Sequence, residues 1–204
     1  MNQDGAAVRD LAAGALPWAA YGLGGLGFDG GVPAGLGAAA LIAIRLPGWR
    51  DTKIFDLAVL VYFLLIALAD CCLAAPIPPT LRAALCPALL AATALGSLAL
   101  GRPATLQYAR PMVDPAWWYN PHFMFVNRVL TWTWSACFLI WTVVALLLRP
   151  QTLVENALAS GFGTALFAAS AWFSWFFPRW YRYYRYLPLV RAGREPFLPT
   201  RRPH

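Results

Sequence analysis

Long apolar stretches alternate with short polar or proline-rich breaks along most of the chain. Four of these stretches reach the length of about 20 residues that a transmembrane helix requires. They cover residues 55–75, 81–100, 123–148 and 154–177. The pattern predicts a membrane-spanning helix in each of these four positions.

Two further apolar segments precede them, and their patterns are less regular. Residues 11–28 are rich in glycine and contain Pro17, and residues 33–46 cover only 14 positions. As a helix the second segment would be about 21 Å long, shorter than a hydrocarbon core of about 30 Å. We predict an all-α, polytopic transmembrane helix bundle with six spans. The alternative is four spans plus an N-terminal re-entrant hairpin, which a membrane tolerates only where protein covers the backbone.

The composition supports a membrane protein. Of the 204 residues, 60% are hydrophobic and 12% are charged, and the mean hydropathy is +0.54. Soluble domains carry about 25% charged residues, and disordered chains are poor in apolar ones. We predict one transmembrane domain over residues 1–186 and a basic tail rich in proline and arginine over residues 187–204.

Basic residues are divided unequally between the two ends of the predicted spans. Fourteen lie on the side of the N-terminus, and two, Arg82 and Arg149, lie on the other. Because the cytoplasmic loops carry the excess of basic residues, both termini are predicted in the cytoplasm. Arginine outnumbers lysine 15 to one, which together with the bias towards alanine, glycine and leucine suggests a GC-rich bacterial genome. The first ten residues lack a basic leader, so no cleaved signal peptide is expected.

One acid and three cysteines lie together near one end of the predicted bundle. Asp70 lies inside a span and Arg82 begins the next one, so we predict an ion pair between them. A substrate or ion role for Asp70 is the alternative, because ionisable groups within membranes are often functional. For Cys71, Cys72 and Cys86, a disulfide, a metal site with Asp70, and burial as small apolar side chains all stay open.

The chain has no convincing cofactor motif. Residues 22–27 match a dinucleotide fingerprint, but no strand precedes them, and glycines in a span more often permit close helix packing. Neither histidine, His122 or His204, lies in a predicted span, which argues against haem held between helices. No cluster of His, Asp or Glu is suited to zinc or di-iron. We predict no cofactor, no metal and no enzymatic activity.

The connector 101–122 and the end of the last span share the basic side. Arginines alternate with aromatic rings over residues 181–186, which favours anionic lipid over nucleic acid because a span directly precedes them. Asp114 and Pro115 have the pattern of a helix N-cap. We predict a surface that binds anionic lipids or other inner-membrane proteins. Its candidate residues are Arg102, Gln107, Tyr108, Arg110, Trp117, Trp118, Asn127, Arg128, Arg179, Arg182 and Arg185.

Two of these residues also have a structural interpretation. Asn127 is expected to bond a neighbouring helix, and Arg128 to reach the interface with its charged end. Small residues that recur at four-residue spacing, such as Ala157 and Gly161, permit close helix contacts. These contacts would form either within the protein or in a homo-oligomer.

The layout of the chain resembles a known family. Residues 101–103 (Gly-Arg-Pro) end an apolar helix, Gln107, Tyr108 and Arg110 follow, and then come Pro115, Trp117, Asn127 and an aromatic helix. This order is similar to the intracellular septation protein A family of small bacterial inner-membrane proteins, over residues 31–185. The resemblance implies a non-enzymatic role in septation, cell division or wall synthesis.

Three functions stay open on the sequence. A membrane scaffold or assembly factor fits the scarcity of polar residues deep in the spans. A small-solute or ion transporter or channel is the alternative, favoured by the glycine- and proline-broken N-terminal helices. A lipid-modifying enzyme using Arg110, Asp114 and His122 is the second alternative, without a supporting motif.

Overall fold

A computed structural model describes residues 16–17, 19–21, 32–45, 52–73, 77–148 and 153–193, and within them the chain is helical, without a strand. The helices are α1 (Val32–Arg45), α2 (Ile54–Cys72), α3 (Pro79–Ala99), the one-turn α4 (Leu106–Ala109), α5 (Pro121–Leu147), α6 (Leu153–Tyr181) and the short α7 (Leu187–Arg191). Tighter turns occupy Arg110–Met112 and Pro115–Trp117, and a wider π-turn occupies Arg182–Tyr186.

Among the residues that the structure describes, three helices are long and apolar enough to cross a membrane. They are Ile54–Cys72, Thr80–Ala99 and Pro121–Leu147. The prediction of an all-α chain with apolar helices of membrane-spanning length is therefore confirmed. A shorter apolar helix, Val32–Ile44, covers most of the predicted 33–46 segment. Most of the predicted 11–28 segment, including the glycine fingerprint at 22–27, lies outside the described residues.

The start of α5 shows how the sequence sets a helix boundary. The Asn120 side chain accepts hydrogen bonds from the backbone N–H groups of His122 and Phe123, at 2.8 and 3.4 Å. Pro121 occupies the first helical position, where its missing N–H costs nothing because that group would have no partner within the helix. The long apolar helix is therefore fixed at its polar end.

The chain divides into two compact units, Met1–Leu89 and Leu90–His204. In the first unit, α1 packs against α2 through Gly37. A Cβ atom at this glycine would lie 2.9 Å from the ring of Phe63, which is fully buried. Only a residue without a side chain permits this close approach of the two helices.

In the second unit, α5 and α6 form an antiparallel pair. A Cβ atom at Gly163 would lie 2.8 Å from Trp141, and further along the indole of Trp134 donates to the Ser174 hydroxyl at 3.0 Å. The two helices are therefore in contact over several turns while running in opposite directions.

The helical chain continues past the predicted start of the tail. Leu187–Arg191, the first residues of the predicted basic tail, are helical. The helix continues because Tyr186, just before it, is buried against the ring of Trp117. It ends at Gly193, whose φ of +67° is the left-handed conformation that commonly terminates helices.

Candidate functional site

The predicted ion pair between Asp70 and Arg82 is present. The Arg82 guanidinium donates two hydrogen bonds to the Asp70 carboxylate, one of them 2.9 Å long. The Asp70 side chain is only 3% exposed, and that of Arg82 is 25% exposed. A buried carboxylate in an apolar helix is tolerated when a paired cation bonds both of its oxygens. The contact therefore joins α2 to the start of α3.

Two tyrosines extend this polar cluster. Side-chain hydrogen bonds link Tyr21 to Arg82 and to Tyr62, which is buried on α2. Tyr62 and Asp70 are eight residues apart, so they lie on the same side of the helix. The cluster thus connects residue 21 to both helices.

All four cysteines are free thiols in the structure. Cys71 and Cys72 are exposed at the end of α2, whereas Cys86 and Cys137 are buried. The disulfide considered on the sequence is therefore not formed here. Among the residues described, no three His, Cys, Asp or Glu side chains are grouped to hold a metal ion.

The connector after α3 is folded against the helices. Gly101 takes a φ of +68°, and the backbone N–H of Arg102 bonds the carbonyl of Ser97 at 2.9 Å. These two features form the common glycine-terminated end of a helix. The chain then turns inward, and the next four residues, 103–106, are all buried.

Hydrogen bonds hold this inward segment in place. The Ser97 hydroxyl accepts from the backbone N–H of Ala104 at 2.9 Å. The Thr105 hydroxyl donates to the backbone carbonyl of Asn127 at 2.8 Å and lies 2.9 Å from the hydroxyl of Thr131. Non-helical backbone is stable in such an apolar setting only when its polar groups are satisfied by protein. The segment is therefore fixed on α5.

The hydroxyl groups of Thr105 and Thr131 alternate as donors at this contact. The Thr131 hydroxyl also lies 2.8 Å from the carbonyl of Asn127, so three oxygen–oxygen contacts involve two hydroxyl groups. Each hydroxyl carries a single proton. At any moment two of the three contacts are hydrogen bonds, and one threonine can replace the other as donor to the carbonyl.

Asn127 lies inside the bundle and not on the surface predicted for it. The residue is 1% exposed, and its amide group donates to the Phe123 carbonyl of the same helix at 2.9 Å. The expected hydrogen bond to a neighbouring helix is therefore not made by this side chain. Its Oδ1 atom is buried without a hydrogen-bond partner. An unsatisfied buried acceptor is destabilising, so the surrounding packing must compensate for it.

The polar face of α5 contains residues that the sequence interpretation missed. Thr131 and Ser135 are fully buried, and with Asn127 they recur at intervals of four residues. Such spacing places all three on one side of a helix. That periodicity is visible in the sequence, whereas their partner Thr105 lies 22 residues before Asn127 and has no local signal.

A second cluster joins the start of α5 to the end of α6. His122 Nδ1 lies 2.8 Å from the Tyr181 hydroxyl, and the His122 ring meets Tyr186 edge-on at 5.3 Å. Trp117 of the connector contacts the same Tyr186 ring at 5.3 Å. His122 is therefore packed between the end of α6 and the turn that follows it. These ring contacts attach the connector to the end of α6 and to the π-turn that follows it.

The connector is also braced internally. The Trp118 indole donates to the carbonyl of Arg110 at 3.3 Å, and the Arg110 guanidinium lies over the Trp118 ring at 5.3 Å. The predicted N-cap is confirmed, because the Asp114 side chain accepts from the backbone N–H of Ala116 at 2.9 Å. Residues 106–118 thus have defined positions.

We call residues 101–128 and 179–193 the basic surface. They contain seven arginines and a single acid, Asp114. The exposed members among the predicted binding residues are Arg102, Gln107, Arg128, Arg179, Arg182 and Arg185, and the half-buried ones are Tyr108, Arg110, Trp117 and Trp118. The aromatic cluster brings the two segments together, so the charge is concentrated on one part of the second unit.

Comparison of the chain with protein-family models, with curated proteins and with solved structures gives no match.

Proposed function

We propose that this protein is a non-enzymatic membrane scaffold or assembly factor that acts through its basic surface. The observation that supports this most directly is the fixed position of the connector, which Thr105 holds against α5. A pre-ordered surface loses little conformational entropy when a partner binds. Its excess of arginine favours anionic partners, namely lipid headgroups and acidic segments of other membrane proteins.

In this proposal α6 is a further span. It is 29 residues long, about 44 Å at 1.5 Å per residue. It also packs antiparallel to α5, with contacts from Gly163 against Trp141 to Tyr181 against His122. With α1 and the preceding apolar segment as shorter elements, this gives six spans in a bacterial inner membrane. The basic surface and both termini then lie in the cytoplasm, as the distribution of arginine favours.

The resemblance to the intracellular septation protein A family adds the biological process. It supports a role in septation, cell division or wall synthesis, carried out through contacts with other inner-membrane proteins. The residues of that resemblance, Arg102, Gln107 and Trp117 among them, belong to the basic surface.

A transporter is the second candidate, and the Asp70–Arg82 pair is the observation that favours it. Buried charges within a membrane often mark a substrate or proton pathway. Here both carboxylate oxygens of Asp70 are already bonded to Arg82. A flux assay in liposomes distinguishes the two functions, because a scaffold moves no solute.

Site-specific photo-crosslinking in cells tests the scaffold function. A photoreactive amino acid is placed at Met112 or Tyr119, which are 78% and 84% exposed on the basic surface. The matched control is Val143, which is 51% exposed near the other end of α5. We expect discrete adducts with particular membrane proteins from the two surface positions and not from the control. Adducts at all three positions alike, or at none, would overturn the proposal.

A further inference from the structure

One side of α6 and of the π-turn that follows it changes from aromatic to basic side chains over about one turn. Trp172, Trp175 and Phe176 expose large rings, whereas Arg179 and Arg182 further along expose guanidinium groups. Residues three or four apart lie on the same side of a helix, so these five form one continuous strip, which we call the α6 stripe. Aromatic rings followed by basic groups are typical of a membrane–water boundary.

The geometry of Arg179 suits an anion at this boundary. Its guanidinium lies 4.2 Å from the centre of the Trp175 ring, and Nη1 donates to the Trp175 carbonyl at 2.6 Å. The group is thereby folded back along the helix towards the aromatic part of the stripe. A guanidinium carries five N–H groups. The carbonyl bond uses one of them, which leaves the others available to an acceptor.

No protein group neutralises the second cation of the stripe within the described side chains. Arg182 is exposed and makes no hydrogen bond or ion pair there. The opposite side of α6 is occupied, because Ser174 bonds Trp134 and Tyr181 bonds His122. The stripe is therefore the side of the helix end that these contacts leave open.

We propose that the α6 stripe binds the phosphate of an anionic phospholipid headgroup through Arg179 and Arg182. The acyl chains of the same lipid then lie along Trp172 and Phe176. Guanidinium groups are suited to phosphate because they form two parallel hydrogen bonds with it. The inference rests on the proposed function and names one partner of the basic surface.

Lipid retention measured by native mass spectrometry tests the stripe. The protein is purified in a neutral detergent that contains either phosphatidylglycerol or phosphatidylcholine. We expect the wild type to prefer phosphatidylglycerol, and R179Q/R182Q to lose that preference by about fivefold per arginine, since each basic residue near an anionic surface contributes this factor. The matched comparison is R185Q/R191Q, which removes the same charge from exposed positions of the basic surface outside the stripe. We expect it to lose less of the preference than R179Q/R182Q does.

Three results would overturn the inference. They are equal retention of the two lipids by the wild type, equal loss in both double variants, and displacement of phosphatidylglycerol by a single-stranded oligonucleotide. If R179Q/R182Q does not fold, R179K/R182K carries the test. It keeps the charge but not the paired hydrogen bonds, and we expect it to lose part of the preference.

The failure of this inference is distinguishable from the failure of the scaffold function. Photo-crosslinking from Met112 is repeated in R179Q/R182Q. If the wild type shows no lipid preference but the protein adducts form in both the wild type and R179Q/R182Q, the lipid site alone is overturned. A lipid preference without any specific protein adduct would overturn the scaffold function alone.

Discussion

The hydroxyl of Thr105 donates a hydrogen bond to the backbone carbonyl of Asn127 across 22 residues of chain, at 2.8 Å. This contact positions the connector after α3 against α5, and with it Arg102 and Arg110. Because Thr131 shares the same acceptor, the strength of the contact is distributed over two hydroxyl groups.

Replacing both Thr105 and Thr131 should destabilise the protein by more than the sum of the two single replacements. We expect T105V and T131V each to lower the free energy of unfolding by less than about 1 kcal/mol, since one hydroxyl still reaches the carbonyl. T105V/T131V leaves no hydroxyl donor to this carbonyl and should lower the free energy of unfolding by more than the sum of the two single effects. Thermal unfolding in detergent, followed by circular dichroism, measures this. T133V is the matched control, because its hydroxyl bonds only its own helix. Additive single effects would contradict the shared-donor geometry.

Asn127 should tolerate an apolar replacement better than a charged one. Its Oδ1 atom has no donor, so N127L removes an unsatisfied group together with the hydrogen bond to Phe123. We expect N127L to change stability by about 1 kcal/mol or less. N127D buries an unpaired charge and should prevent stable folding. Comparable melting temperatures for the two variants would show that water reaches this position.

The positions of the helices are easier to predict from the sequence than the fold of the connector between α3 and α5. The predicted span 123–148 and the observed α5 (Pro121–Leu147) agree closely, because apolar length is a local property. The Asp70–Arg82 pair was also predictable, since a short connection brings opposite charges on successive helices together. The fold of the connector was not, because it depends on Thr105 meeting a backbone carbonyl far along the chain.

The residue at which a helix ends is also difficult to predict from the sequence. The tail was predicted from residue 187 because proline and arginine dominate its composition. The helix instead continues to Arg191, held by the burial of Tyr186 against Trp117. Trp117 and Tyr186 are far apart in the sequence, so local composition cannot predict their ring contact. The end of the helical segment is therefore set by packing.

The Asp70–Arg82 pair should be strongly coupled. Either D70N or R82Q leaves a charge without its partner, and we expect each to destabilise by about 3 kcal/mol. D70N/R82Q removes both charges and should recover much of that loss. Unfolding measurements on the three variants give the coupling energy. If instead D70N keeps full stability and loses the cellular function, Asp70 acts on a substrate and the transporter becomes the better proposal.

Gly163 and Gly161 provide a matched test of the α5–α6 pair. A methyl group at Gly163 would lie 2.8 Å from the rigid indole of Trp141, whereas at Gly161 it would meet no atom within 4 Å. We therefore expect G163A to destabilise by about 1–3 kcal/mol through overpacking. G161A should be neutral or stabilise by up to about 1 kcal/mol, because alanine favours helix more than glycine does. Equal shifts in the melting temperatures of the two variants would contradict the close contact between Gly163 and Trp141. A selective loss in G163A, combined with weaker crosslinking from Tyr119, would further show that the pairing of α5 with α6 supports the basic surface.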